Sequence, residues 1–248
     1  MVGLARALSK LGYCSRSQAA ELIRAGRVRL NGATRRDPEA PVRLECDRID
    51  VDRRAVRAEE KVYLMLNKPR GVVTTASDEK GRKTVYQLLG NGLPWVAPVG
   101  RLDKASEGLL LLTNDSEWSA CVAAPETHLE KTYHVQVDAL PSETFLSSMT
   151  QGVRTEEGEL LRANRVRMLR RGERNAWLEI VLDEGKNRQI RRMLEQLEIG
   201  VLRLVRVAVG PIPLGSLSKG AYRKLAAEEM GALDGALKGT RAGLKTGE

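Results

Sequence analysis

Cysteine and histidine are scarce in this chain, and neither is spaced for metal or redox chemistry. The three cysteines, Cys14, Cys46 and Cys121, are odd in number and form no C-x-x-C pair, which argues against a disulfide framework and against a thiolate metal site. His128 and His134 are the only histidines and have no third ligand in sight, so a metal-dependent hydrolase is not expected. No apolar run approaches the length of a membrane span, and the N-terminus lacks an apolar core followed by a small-residue cleavage site. A cofactor fingerprint is absent too. The expectation is a cytoplasmic protein with no bound metal, no cofactor and no nucleotide.

Positive charge, by contrast, is abundant and unevenly placed. The chain has 248 residues, enough for one substantial core and a small accessory domain. Lys and Arg number 41 against 32 Asp and Glu, a formal charge of +9 that favours a polyanionic partner. Between Met1 and Arg36 the basic residues Arg6, Lys10, Arg16, Arg24, Arg27, Arg29, Arg35 and Arg36 are opposed by Glu21 alone, so much of the excess lies at the N-terminus.

The local patterns divide the chain. Leu4, Leu8 and Leu11 recur at helical spacing up to Gly12. Ser15 and Gln18 make a capping-box pattern for a second helix with the stripe Ala19, Leu22 and Ile23. A strand from Arg27 to Leu30 then closes on the Asn31-Gly32 turn, and Arg48 to Asp52 alternates as an edge strand does. This order, with the run S-R-S-Q-A-A-E-L-I, resembles the RNA-binding domain first seen in ribosomal protein S4 and places that domain at residues 1–51. Arg16, Ala20 and Arg24 stack along one flank of the second helix, where the arginines could follow an RNA backbone, and Arg27 joins them as an expected RNA contact. Residues 52–60 are charged and unpatterned and read as a linker. Beyond them strands are expected at Val62 to Leu66, Thr132 to Val137 and Trp177 to Leu182. Helices are expected at Thr84 to Leu89, Glu143 to Met149 and Asn187 to Leu197. From Gly231 to the end the Gly- and Lys-rich composition reads as a flexible basic tail, leaving 61–230 as the larger domain.

The block richest in chemical meaning is Gly100-Arg101-Leu102-Asp103, followed by Glu107-Gly108, the apolar run Leu109 to Leu112, and Thr113-Asn114-Asp115. An acid just ahead of a buried strand sits at the strand mouth, where a rigid backbone can hold one carboxylate over a cleft. Two further blocks stand apart from it: Lys131-Thr132-Tyr133-His134-Val135 and Glu184 to Met193, which contains Gln189-Ile190-Arg191-Arg192-Met193. Together with the turn Asn67-Lys68-Pro69-Arg70-Gly71, these blocks resemble the RNA pseudouridine synthases over roughly Lys61 to Glu228. The R-R-M ending and the N-terminal domain resemble the branch typified by RsuA and RluB.

The resemblance implies an α+β fold: a mixed, mainly antiparallel sheet with flanking helices and a cleft across its middle. It also implies isomerisation of a uridine in RNA to pseudouridine, with ribosomal RNA or a pre-ribosomal particle as partner and the chain acting as a monomer. Asp103 is then the catalytic acid, attacking the anomeric carbon or removing the neighbouring ribose proton. Tyr133 shares a strand face with Val135 and Val137, as an ordinary core tyrosine does; in the family the matching residue stacks on the target base. Asp103 must be ionised in a partly dry cleft, which calls for an opposing guanidinium. At 100° per residue Arg191 lies at the border of the stripe Ile190, Met193, Leu194 and Leu197, and Arg188 points nearly opposite, so Arg191 is the expected partner. Arg101, Lys68 and Arg188 complete the expected RNA contacts. Lys104-Ala105-Ser106, and Arg188 where several relatives have His, depart from the usual pattern without touching the acid. Two other readings compete: an RNA-binding ribosome-assembly factor that keeps the fold without catalysis, and a glycoside hydrolase, which needs a second carboxylate such as Glu107 across the sugar.

Overall fold

The computed structural model describes residues 1–76 and 78–243. At the N-terminal end, helices Leu4–Lys10 and Arg16–Arg24 pack on a four-stranded sheet ordered Ala33–Arg35, Val28–Leu30, Ile49–Val51 and Arg54–Ala55. The helix start is set by Ser15, whose side chain accepts from the Gln18 amide while the Gln18 side chain caps the Ser15 amide, the reciprocal box expected from the sequence. Asn31 and Gly32 take positive φ (53° and 83°), the geometry of a two-residue hairpin turn. Leu4, Leu8, Ile23, Val28, Ile49 and Val51 fill the small core between helices and sheet.

The connection to the larger domain differs from a plain linker. Asp52 and Arg53, both at positive φ, turn the chain so that Arg54–Ala55 becomes a fourth strand, and Val56 packs on the small core. Further along, the Glu59 amide donates to the Leu11 carbonyl (3.0 Å) and Lys10 pairs with Glu117 (2.9 Å), so contacts run directly between the two parts of the chain. A charged run without an apolar pattern concealed a two-residue strand that pairs with Ile49–Val51 across the Asp52-Arg53 turn.

The larger part is a nine-stranded sheet. Its main path runs Arg165–Arg171, Ala176–Leu182, Lys131–Val137, Val201–Val209, Glu107–Thr113, Tyr63–Lys68 and Tyr222–Lys224, with Ile212–Pro213 and Ala97–Pro98 added to the fourth and fifth strands. All pairings are antiparallel except one, between Glu107–Thr113 and Val201–Val209 at the centre. Helices Glu143–Gln151 and Gln189–Gln196 cover one half over a core that includes Val135, Leu178, Ile180, Met193 and Leu194. Glu107–Thr113 is buried along its whole length, as its unbroken apolar run requires.

The parallel pairing depends on Gly108. Its φ of +102° is strained for any other residue, and a Cβ there would overlap the Arg206 carbonyl oxygen and lie 2.8 Å from the Arg206 nitrogen, both backbone atoms. Gly108→Ala is therefore expected to destabilise the fold by about 3 kcal/mol or more. Thermal unfolding checks this; a melting temperature equal to that of the wild type would contradict it.

The C-terminal segment also differs from expectation. Instead of a tail beginning at Gly231, the helix Ala227–Gly243 continues through it, with Leu233 and Leu237 buried one turn apart against a core containing Leu129, Val209 and Ile212. Gly231 and Gly235 lower helix propensity, and two anchors are too few to make a visible stripe, so tertiary packing carries this helix. Residues 244–248 of the expected tail lie outside the described residues.

Candidate active site

Asp103 lies in the short loop between Ala97–Pro98 and Glu107–Thr113, and that loop is held from below by the N-K-P-R-G turn. Lys68, at the end of Tyr63–Lys68, has no exposed surface; its ammonium donates to the carbonyl oxygens of Ser106 (2.7 Å), Asp103 (3.0 Å) and Pro69 (3.2 Å). The Gly71 amide donates to the Lys104 carbonyl (2.7 Å), and the Thr74 hydroxyl donates to the Leu102 carbonyl (2.8 Å). Each peptide around Asp103 is thus fixed by a neighbour about 30 residues earlier in the chain, while its carboxylate stays 36% exposed and free to meet a substrate. Lys68 was expected to touch RNA; its burial rules that out here and makes it a strut for the acid. Burial pulls its ammonium down to about 8, against Asp103 and Glu107, which favour the charged form.

A cleft of about 600 Å³ opens over this loop, and its walls include Arg101, Asp103, Tyr133, Arg188 and Arg191. Three sequence blocks that are far apart in the chain therefore meet in one place. Tyr133 is on the central strand Lys131–Val137, opposite Ile180 on one side and Arg206 on the other, just after a register shift. The extra residue is Val207 on Val201–Val209, so the bulge lies on the partner strand and Lys131–Val137 keeps its regular alternation. Arg101 is exposed at the same cleft.

The guanidinium facing Asp103 differs from the expected one. Arg188 Nη1 lies 3.8 Å from Asp103 Oδ2, whereas Arg191 donates through Nη2 to the Ala105 carbonyl (3.1 Å) and its buried Nε has no partner. The helix begins only at Gln189, with Arg188 ahead of it at a φ of 48°, so helical rotation does not govern where Arg188 points. Arg191 braces the loop and lies close enough to Asp103 to feel its charge; burial, then the adjacent Arg188, lowers its pKa from the ordinary arginine value. Arg27, another expected RNA contact, pairs with Asp52. Arg16 and Arg24 are exposed on the second helix, as expected.

Glu107 is not the second acid of a glycosidase. It is buried, and Arg203 grips it in a fork (3.0 and 3.1 Å) while Lys219 adds a third contact (2.6 Å). Burial alone would raise its pKa, but these cationic partners outweigh it and hold the carboxyl below the usual range. Sequence reasoning also passed over Lys131 and Arg206, which line the same cleft. For Lys131 the available signal was positional: it stands two residues before Tyr133 on the same strand and so shares its face, whereas Arg206 carried no such signal.

His128 and His134 each face a single carboxylate, Asp183 and Glu179. Among the described residues no helix is long and apolar enough to cross a membrane.

Comparison with known proteins agrees with this geometry. The family profile described as RNA pseudouridylate synthase matches residues 62–196, and that of the S4 domain matches residues 2–49. The chain is 36% identical over 231 residues to ribosomal large subunit pseudouridine synthase B of Bacillus subtilis (strain 168), covering 93% of this chain and 94% of that protein. An uncharacterized RNA pseudouridine synthase of Aquifex aeolicus (strain VF5) is 38% identical over 227 residues, 91% of each. A crystal structure of a pseudouridylate synthase superposes with a TM-score of 0.67 at 30% identity, covering 94% of this chain and all of the other. With the cleft, the paired domains and these relatives in agreement, the chain belongs to the RNA pseudouridine synthases of the RsuA and RluB branch, isomerases that act on RNA, and carries an RNA-binding S4 domain at its N-terminal end.

Proposed function

We propose that this enzyme converts a uridine of ribosomal RNA to pseudouridine and that Asp103 is the group that acts on the ribose. The observation that carries the reading is the placement of Asp103: a part-exposed carboxylate on an immobilised loop, opening into the cleft that also holds Tyr133, Arg188 and Arg191. An ionised carboxylate can attack the anomeric carbon or remove the neighbouring ribose proton, and either route needs the nucleotide drawn out of its helix. Extrusion costs a few kcal/mol, which phosphate contacts offset. Arg101 and Arg188 at the cleft, and Arg16 and Arg24 on the N-terminal domain, supply positive charge for those contacts. The name of the Bacillus subtilis relative supports ribosomal RNA as the substrate class.

The test is incubation of the protein with unmodified transcripts of both ribosomal RNAs and with transfer RNA, followed by site-resolved mapping of pseudouridine. Formation at one defined ribosomal position supports the proposal. Formation in transfer RNA alone contradicts the substrate assignment.

The role of the N-terminal domain makes its own prediction. Arg16→Gln combined with Arg24→Gln should weaken RNA binding at all ionic strengths and lower the slope of log affinity against log salt by roughly 1 to 2. Binding titrations across a salt series read this directly, and an unchanged slope would remove these two residues from the interface.

A further inference from the structure

Two positive side chains in the cleft form no ion pair among the described residues. Lys131 makes one long hydrogen bond, 3.4 Å to the Asp183 carbonyl, and Arg206, which is 7% exposed, donates through Nε to the Leu109 carbonyl at 2.7 Å. Among the described residues neither has a carboxylate oxygen within ion-pair distance, and each has a single carbonyl acceptor, whereas the buried ammonium of Lys68 has three. Burial first, and the nearby Arg206 second, pull the Lys131 pKa below the ordinary lysine value, and the Asp183 carboxylate, which favours the charged form, does not offset them. Two like charges held together in a half-dry cleft are costly unless a ligand completes them.

We propose that Lys131, backed by Arg206, is a catalytic residue that binds the uracil ring through a carbonyl oxygen and stabilises the negative charge the ring acquires when it separates from the ribose. The inference rests on the isomerisation itself and is independent of which group acts on the sugar. When the bond between N1 and the anomeric carbon breaks, its electron pair stays on the ring and spreads onto the two carbonyl oxygens. After the ring turns, C5 bonds to the same carbon, the C5 proton leaves and N1 takes up a proton, so nothing is gained or lost overall. The charge thus exists only between bond cleavage and bond formation, and a fixed cation at the carbonyl lowers the barrier without being consumed.

Position favours the base over a phosphate as the ligand. Lys131 and Tyr133 are two residues apart on one strand and face the same side, a separation of about 6.6 Å that matches a ring lying on the tyrosine with its carbonyl edge toward the ammonium. The walls beside Lys131 are apolar: Leu111, Val122 and Val209 line the same cleft and are buried. Phosphates stay on the RNA chain at the cleft mouth, where Arg101 and Arg188 are exposed.

The test is single-turnover kinetics of Lys131→Met and Lys131→Arg on an RNA that the wild type modifies, with RNA affinity measured separately. Lys131→Met should slow pseudouridine formation by about 10²- to 10³-fold and leave affinity within about twofold, and Lys131→Arg should recover much of the rate. Loss of affinity at an unchanged rate would make Lys131 a phosphate contact and overturn the proposal; so would two unchanged parameters. If Lys131→Met melts early, Lys131→Gln, which keeps a polar head, is judged by the same two outcomes. Failure of the wild type to form pseudouridine in any RNA would instead remove the functional reading, and this inference with it.

Discussion

Asp103→Asn is expected to bind RNA as well as the wild type and to form no measurable pseudouridine. The amide has nearly the shape of the carboxylate, and the loop that holds it is fixed by backbone bonds from Lys68, Gly71 and Thr74 that the substitution leaves intact. What it lacks is the charge: an amide can neither attack the sugar carbon nor accept its proton. A single-turnover rate at least about 10⁴-fold below the wild type is the expected result, as for the loss of other covalent or basic groups. Affinity should hold or rise, because Arg188 loses its carboxylate neighbour at 3.8 Å and is left for the phosphates. Turnover at the wild-type rate would exclude Asp103 from the chemistry and revive a non-catalytic role for its loop.

Lys68→Met should have the second largest effect, and through position alone. Methionine fills the same channel, but the carbonyls of Pro69, Asp103 and Ser106 lose their common donor. An unsatisfied buried carbonyl costs about 1–3 kcal/mol, so three of them outweigh the relief of removing a buried charge, and a net destabilisation of about 3 kcal/mol is expected. Activity should fall further than stability, because the loosened peptide is that of Asp103 itself. The pH dependence has a defined sign. The folded-state value of about 8 lies below the ordinary 10.5, so between these values the unfolded chain holds a proton that the folded chain has released. Stability contributed by this group therefore rises from about pH 8 to about pH 10.5, and the gap between wild type and Lys68→Met should widen over that window. Denaturant unfolding across pH measures it; a gap that narrows there would contradict the assignment of Lys68 as the buried ammonium.

Much of this molecule was legible in order and pattern. The capping box at Ser15, the Asn31-Gly32 hairpin and the buried strand after Asp103 follow from local chemistry, and local chemistry is what a sequence displays. Tyr133 and Arg191 sit on a strand and a helix that face the cleft, and Asp103 joins them from the loop at the mouth of the buried strand Glu107–Thr113. The partner of Asp103 was misread for a specific reason: whether Arg188 or Arg191 faces the acid depends on where the helix starts, and a left-handed residue at its mouth is set by tertiary contacts. Lys68 reads as a surface turn residue beside Pro69, since its three acceptors include carbonyls 35 and 38 positions away. The strand Arg54–Ala55 and the helix through Gly231 were hidden for the same reason, with weak local preference overridden by packing.

These features place the chemistry and the grip in different parts of the chain. On the proposed reading the exposed arginines of the second helix hold RNA without reading the sugar, and the cleft offers one acid, one aromatic face and several cations around it. The hydrogen bond from the Glu59 amide to the Leu11 carbonyl and the pair Lys10–Glu117 connect the two parts.

The most direct measurement is a pseudouridine map of ribosomal RNA from cells that lack this protein, complemented either with the wild-type chain or with Asp103→Asn at equal abundance. A single ribosomal position that is restored by the wild type and stays uridine with Asp103→Asn is the predicted result. A map that Asp103→Asn restores, or one in which no ribosomal position depends on the protein at all, would contradict the account.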